Sequence, residues 1–275
     1  MITTSRLLRS FLHFAGFAAI VKHHSWKVAA LTSSGIKKAT ASATTTVDGV
    51  PVHAVPLFRN REDSPYCFVA STPPLDRPRI NFLATQVWPA ARTAAVCLFQ
   101  YMTVEDAPGI QTVCELGCGP GLPSLTAAAV TASKECHVRR VVATDIDAFA
   151  LQLVRQAAVD QGFSDILHTQ QFDLTSENAS SLPVADLYVL SDVFESAAVA
   201  QGAARVTQHV LTHYPNASVW VFCQADRAQR DVYLSEMRRI MDDPKLHWSQ
   251  PQKEQKPTNQ RLWLCEVDET TVPYG

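Results

Sequence analysis

The chain has 275 residues, 47% of them hydrophobic and 18% charged, with a net charge of −2. That length can bury a full core and fits one α/β domain with extensions, and that balance excludes a disordered chain and a strongly basic nucleic-acid binder. Seven cysteines, odd in number and without a C-x-x-C pair, argue for reduced, buried thiols over a disulfide scaffold or a zinc site.

Residues 1–47 contain no Asp or Glu; the first acid is Asp48. They carry Arg6, Arg9, Lys22, Lys27, Lys37 and Lys38 among many Ser and Thr, and Leu7, Leu8, Phe11, Leu12, Phe14 and Phe17 make an apolar helical face. A basic, hydroxyl-rich, acid-free and amphipathic start is the composition of a transit peptide. We therefore expect a mitochondrial (matrix) targeting segment, with a cytoplasmic protein as the alternative. The apolar run is short and broken by Arg9 and His13, so no stable membrane insertion is expected. Without this segment 18 basic and 26 acidic residues remain, a net −8 that favours basic partners over nucleic acid.

Residues 48–110 read as a cover segment and a helix. The prolines between Pro51 and Pro78 forbid a long helix there, while Val50 to Phe58 and Tyr66 to Ala70 suit strands of a small antiparallel cover. Asn81 to Val87 leads into Trp88-Pro89-Ala90-Ala91, and a helix follows to about Tyr101 with Ala91, Ala95, Leu98 and Met102 on one face.

Residues 111–275 alternate strands with helices. Gln111 to Leu116 reads as a strand and Pro123 to Thr131 as a helix. Gly117, Gly119 and Gly121 lie in the turn between them, where a helix N-terminus and bare backbone can hold a ligand. The spacing departs from the dinucleotide fingerprint G-x-G-x-x-G, because the third glycine is one place early and Leu122 stands where the last should be. Arg140 to Thr144 is the next strand, ending in Asp145-Ile146-Asp147. Phe149 to Gln161 is an amphipathic helix with Leu151, Val154, Ala158 and Val159 inward, stopped by Gly162. Ile166 to Phe172 is a third strand ending in Asp173. Ala185 to Ser191 is a fourth, ending in Asp192-Val193-Phe194-Glu195. A helix over 197–213, a strand over Ser218 to Ala225 and a helix over Gln229 to Met241 follow. The tail holds a weak strand near His247 and a better one at Leu262 to Val267.

This alternation predicts a parallel sheet with right-handed crossovers and a ligand site at the carboxyl ends of its strands. The acids gather there. Asp145 is placed to accept the two hydroxyls of a ribose, and Asp173 to meet an adenine amino group. Asp145-x-Asp147 also has the form of a metal-binding pair, but no metal is expected. No repeat or low-complexity linker marks a second domain, and a monomer is expected.

The segments Trp88 to Ala91, Glu115 to Pro123, Thr144 to Asp147 and Ser191 to Phe194, in this order and spacing, resemble the family 16 seven-β-strand methyltransferases, many of which are protein-lysine methyltransferases. The resemblance covers roughly residues 80–225. Its W-P and D-x-F segments are also similar to those of mitochondrial members that methylate lysines of the electron transfer flavoprotein β subunit. It implies a Rossmann-like seven-stranded class I methyltransferase sheet with helices on both faces, plus the N-terminal extension. It implies S-adenosyl-L-methionine as cofactor, held by Trp88, Glu115, Gly117, Gly119, Gly121, Asp145 and Asp173. It implies a protein substrate presenting lysine, with Asp192 and Glu195 as catalytic carboxylates that orient the amine. The family usually has an aromatic residue three places after the Asp; here that place holds Glu195, and Phe194 stands one place early. A small-molecule (nicotinamide-like) N-methyltransferase and a non-catalytic binding or assembly protein on the same fold are the alternative readings.

Overall fold

The structure is a computed structural model. It describes residues 45–59, 61, 63–73, 81–103, 109–133, 137–177, 181–249 and 261–268. The acid-free segment therefore lies outside the described residues, apart from its last three.

Two sheets are present. Strands β1 (Thr45–Val47), β2 (Val50–Pro56) and β3 (Tyr66–Ala70) form an antiparallel meander in sequence order. Asp48 and Gly49 join the first two, both at positive φ (49° and 74°), as a two-residue hairpin turn demands. A single-turn helix (Phe82–Thr85) then leads to α1 (Pro89–Met102). Proline opens α1, where its missing N–H costs nothing, and Ala91, Ala95, Leu98 and Met102 are all buried.

The second sheet holds β4 (Thr112–Leu116), β5 (Arg140–Asp145), β6 (Leu167–Gln171), β7 (Leu187–Ser191), β8 (Ser218–Gln224) and β9 (Leu262–Val267) in the order β6-β5-β4-β7-β8-β9. All five pairings are parallel. Strands buried on both faces must be apolar throughout, and Leu187 to Leu190 are each 0% exposed. Among the described residues the sheet has six strands. The seventh position is held by one parallel bridge from Ser249 to Cys265, beyond β9.

Helices cover both faces. Leu122–Ala132 (α2) and Ala148–Gln161 (α3) pack with α1 on one face, in a core that includes Leu98, Leu125, Leu153 and Ala157. Ala197–His213 (α4) and Arg230–Met241 (α5) cover the other, around Tyr188, Val206 and Tyr233. Val159, expected inward on α3, is 62% exposed. It lies about 100° around the helix from Ala158, and the inward places go to Leu153 and Ala157 instead. The meander is stitched onto α3 by Gln161, which accepts from the Tyr66 N–H (3.0 Å) and donates to its carbonyl (2.7 Å). Asp160 accepts from the Tyr66 hydroxyl at 2.5 Å.

Gly202 sits inside α4, where alanine is ordinarily worth about 1 kcal/mol more than glycine. A Cβ there would overlap the backbone carbonyl of Leu174 and approach the Cα of Thr175 at 3.2 Å. Backbone cannot swing aside, so the sign reverses. Gly202→Ala is expected to lose about 3 kcal/mol, read as a lower urea midpoint at unchanged m-value.

Candidate functional site

The chain leaves β4 at the centre of the sheet, runs outward through β5 and β6, and returns across the sheet to β7. The switch in strand order therefore falls between β4 and β7, where loops diverge and leave a crevice at the strand ends. A cleft of about 950 Å³ opens there, lined among others by Trp88, Gly117, Gly119, Asp145, Asp173 and Asp192. That volume lies in the range of small-molecule sites.

The glycine turn is locked from below. The Cys118 N–H donates to the Thr144 carbonyl (2.8 Å), and the Gly119 N–H donates to Asp145 Oδ2 (2.8 Å). Gly117, Gly119 and Gly121 have φ of 68°, 50° and 72°, a region that other residues reach only with strain. A Cβ on Gly117 would lie 2.7 Å from Val193 Cγ1, and one on Gly121 2.6 Å from Val154 Cγ2. Gly117 and Gly119 line the cleft; Gly121 lies behind the turn against α3 and does not. What the structure gives Gly121 is a packing role against Val154.

Glu115 also lies away from the cleft wall. Alternation along β4 puts it on the same face as Val113, beneath α2, and it is 1% exposed. Its Oε2 accepts from the Ser124 N–H (2.9 Å) and hydroxyl (2.5 Å) in the first turn of α2, while Oε1 is buried without a hydrogen-bond partner. Burial pushes its carboxyl up to about 8, against the opposing pull of Ser124. The side chain does not line the cleft. It anchors the helix that begins after the glycine turn.

Asp145 ends β5 at 7% exposure. Its two oxygens accept from the N–H groups of Gly119 and Asp147, each at 2.8 Å. Burial raises its carboxyl above the usual range, while those two bonds act against the rise. A carboxylate has about four lone-pair sites, so this fixed group keeps acceptor capacity toward the cleft. Asp147 is committed elsewhere: Oδ1 caps α3 through the Phe149 and Ala150 N–H groups, and Oδ2 accepts from the Asn81 N–H. Asp173, beyond β6, accepts from the Thr175 N–H (2.8 Å) and hydroxyl (2.7 Å) and lines the cleft. Among the described residues no group of three or more His, Cys, Asp or Glu could hold a metal ion.

The far side of the cleft differs most from expectation. Asp192, at φ 58° after β7, is not a free carboxylate. Arg227, in the turn after β8, grips it with both arms: Nε to Oδ1 at 2.9 Å and Nη2 to Oδ2 at 3.0 Å. The Arg227 guanidinium also lies 4.5 Å over the ring of Trp88, whose indole N–H donates to the Leu83 carbonyl. An Asp side chain with 0% exposure needs such a cation, because an unpaired buried charge is costly. Phe194 is core, 2% exposed and stacked on Tyr233 at 4.9 Å. That leaves the next residue, Glu195, exposed on the cleft wall. The residue unforeseen from sequence is thus Arg227.

The residues fit an adenosyl cofactor. The cleft joins a glycine turn, a fixed carboxylate at the end of β5, a second at the end of β6, and an indole wall. The described thiols do not compete as nucleophiles: Cys67, Cys114, Cys118, Cys223 and Cys265 are buried, Cys97 is half-buried, and burial pushes Cys67 and Cys97 up to about 12.

A family model described as lysine methyltransferase matches residues 77–240. No curated protein matches the chain. Among solved structures the chain is similar to TrmN from Thermus thermophilus, at 23% identity and TM-score 0.35, covering 50% of this chain and 40% of that one. It is similar to the ribosomal protein L11 methylase of Lactobacillus delbrueckii subsp. bulgaricus at 15% identity and TM-score 0.37, covering 59% and 68%. It is also similar to the SAH-bound Podospora anserina methyltransferase PaMTH1 at 11% identity and TM-score 0.37, covering 50% and 53%. The chain thus spans less than half the length of the Thermus protein.

Proposed function

The chain belongs to the lysine methyltransferase family, S-adenosylmethionine is its methyl donor, and we propose that its acceptor is a lysine side chain of a protein. The observation that carries the acceptor reading is the charge of the cleft. Asp48, Asp145, Asp147, Asp173, Asp192 and Glu195 line it, and among the described lining residues Arg227 is the one Lys or Arg. Such a wall attracts a cationic side chain and repels an anionic one.

When bound, S-adenosylmethionine supplies a methyl carbon already activated by its sulfonium. The protein's task is to hold an amine in line with it and to exclude water. Asp145 and Asp173 present acceptors to the ribose and adenine ends, and the Gly117 to Gly119 backbone admits close approach. Glu195 meets the incoming ammonium at the mouth. A lysine amine, with a reference pKa of about 10.4, loses its proton to solvent before it attacks.

We place this activity in the mitochondrial matrix on the acid-free, basic composition of residues 1–47. The likeness of the Trp88-Pro89 and Asp192-x-Phe194 segments to the mitochondrial members acting on electron transfer flavoprotein supports the same placement. A monomer acting on a lysine-presenting protein, without nucleic acid, completes the reading.

The test is transfer of labelled methyl from S-adenosylmethionine by the full chain into a mitochondrial protein extract. Label on lysine side chains, found by mass spectrometry and lost with Asp145→Ala, is the expected result. Label confined to small amines would overturn the acceptor reading, and no transfer by a folded chain would overturn the enzyme reading.

A further inference from the structure

We propose that the face of Trp88 and the carboxylate of Asp192 form the docking site for the acceptor's cationic side chain, and that Arg227 is its resident occupant, displaced when the acceptor arrives. This rests on the reading of the acceptor as a lysine. The three side chains make a sandwich on the cleft wall: carboxylate, guanidinium, indole. An aromatic face beside a carboxylate is cation-binding chemistry that does not depend on which cation fills it.

The two outer layers are buried or tied to the backbone, and the filling reaches solvent. Asp192 is held by its N–H to the Phe222 carbonyl (2.9 Å) and has a wholly buried side chain. Trp88 caps α1 and is tied through its indole N–H to Leu83. Arg227 stands on the short turn between β8 and α5, and its side chain is 28% exposed. The guanidinium thus has a way out toward solvent that Asp192 lacks.

Charge then forces a one-for-one exchange. Two cations on one buried carboxylate repel each other. Departure of Arg227 with nothing in its place would strand a buried charge. Only an entering cation satisfies both conditions, so the exchange selects charged acceptors over neutral ones of the same shape. No covalent step is involved.

The experiment titrates n-butylammonium, a bare lysine side chain, into the full-length chain, read by tryptophan fluorescence. The samples are wild type, Arg227→Ala, Arg227→Gln and Arg227→Gln with Asp192→Asn. The Gln variant keeps a planar amide against Trp88 while removing the charge, so its fold does not depend on the outcome for Ala. We expect both single variants to bind roughly tenfold tighter than wild type, the size of one cation–π and carboxylate contact, and the double variant to lose the gain. n-Butanol should show no gain in any sample. Equal binding by wild type and the single variants would overturn the proposal, as would a gain that survives Asp192→Asn. If neither single variant folds, hydrogen exchange at Arg227 Nε in the wild type decides: n-butylammonium should speed it and n-butanol should not, and equal rates would overturn the exchange. A gain without methyl label on any protein lysine would remove the acceptor reading and leave the cation site standing; label without the gain would do the reverse.

Discussion

Replacing Asp145 with alanine is expected to abolish measurable binding of S-adenosylmethionine while leaving a folded protein. Two losses combine. The acceptor proposed for the ribose hydroxyls goes, and hydrogen bonds to a charged group are worth about 1.5–3 kcal/mol each. The glycine turn also loses the acceptor of the Gly119 N–H, so its backbone is no longer held in its binding shape. Together these predict a loss of at least roughly a hundredfold in affinity, by calorimetric titration into the full-length chain. Asp145→Asn separates the two. It keeps one carbonyl oxygen for the Gly119 N–H and loses the charge, so an intermediate loss is expected. The core beneath is untouched by either change, because Val141, Val142 and Ala143 fill β5 without help from Asp145. Unchanged affinity in a folded Asp145→Ala chain would mean that the acid at the end of β5 serves only the turn.

The framework was legible because its signals are local. Apolar runs such as Leu187 to Leu190 and Leu262 to Val267 give strands at the expected places, and Gly162, the C-cap of α3, sits where the sequence puts it. Fine orientation was less legible. Val159 met the helical period but fell one step past the buried stripe. Glu115 belongs to a motif that suggests ligand contact, yet strand alternation alone places it on Val113's face, under α2 and away from the cleft.

Arg227 could not be read from spacing, because it meets Asp192 across 35 residues and a change of strand. A physical hint was nonetheless present. Asp192 follows a strand covered on both faces and precedes Phe194, a core residue, so its carboxylate would be buried and in need of a cation. Which cation would answer is decided by topology. Parallel neighbours bring the ends of β7 and β8 side by side, and the turn after β8 carries the arginine.

Glu115 is expected to make the stability of this fold fall between about pH 5 and 8. Its carboxyl is pushed up to about 8 by burial, against an ordinary value of 4.5. The folded chain therefore keeps a proton that the unfolded chain has already lost between these values. The stability this contributes is complete below the ordinary value and is lost as pH rises toward and through the folded one. Within that window stability falls by about 1.4 kcal/mol per pH unit from this residue alone. Glu115→Gln should remove the slope. Its carbonyl oxygen can accept both Ser124 bonds, and its amide nitrogen replaces the oxygen that has no partner. Urea unfolding of both chains from about pH 5 to 8 should show curves that diverge with rising pH, the variant gaining on wild type. Parallel curves would mean that Glu115 ionises in the folded chain as it does in water. The consequence reaches the site, because Glu115 holds the first turn of α2 and α2 follows directly on Gly121. Above about pH 8 a charged, poorly solvated Glu115 should loosen that turn, and affinity for the methyl donor should fall in wild type but not in Glu115→Gln.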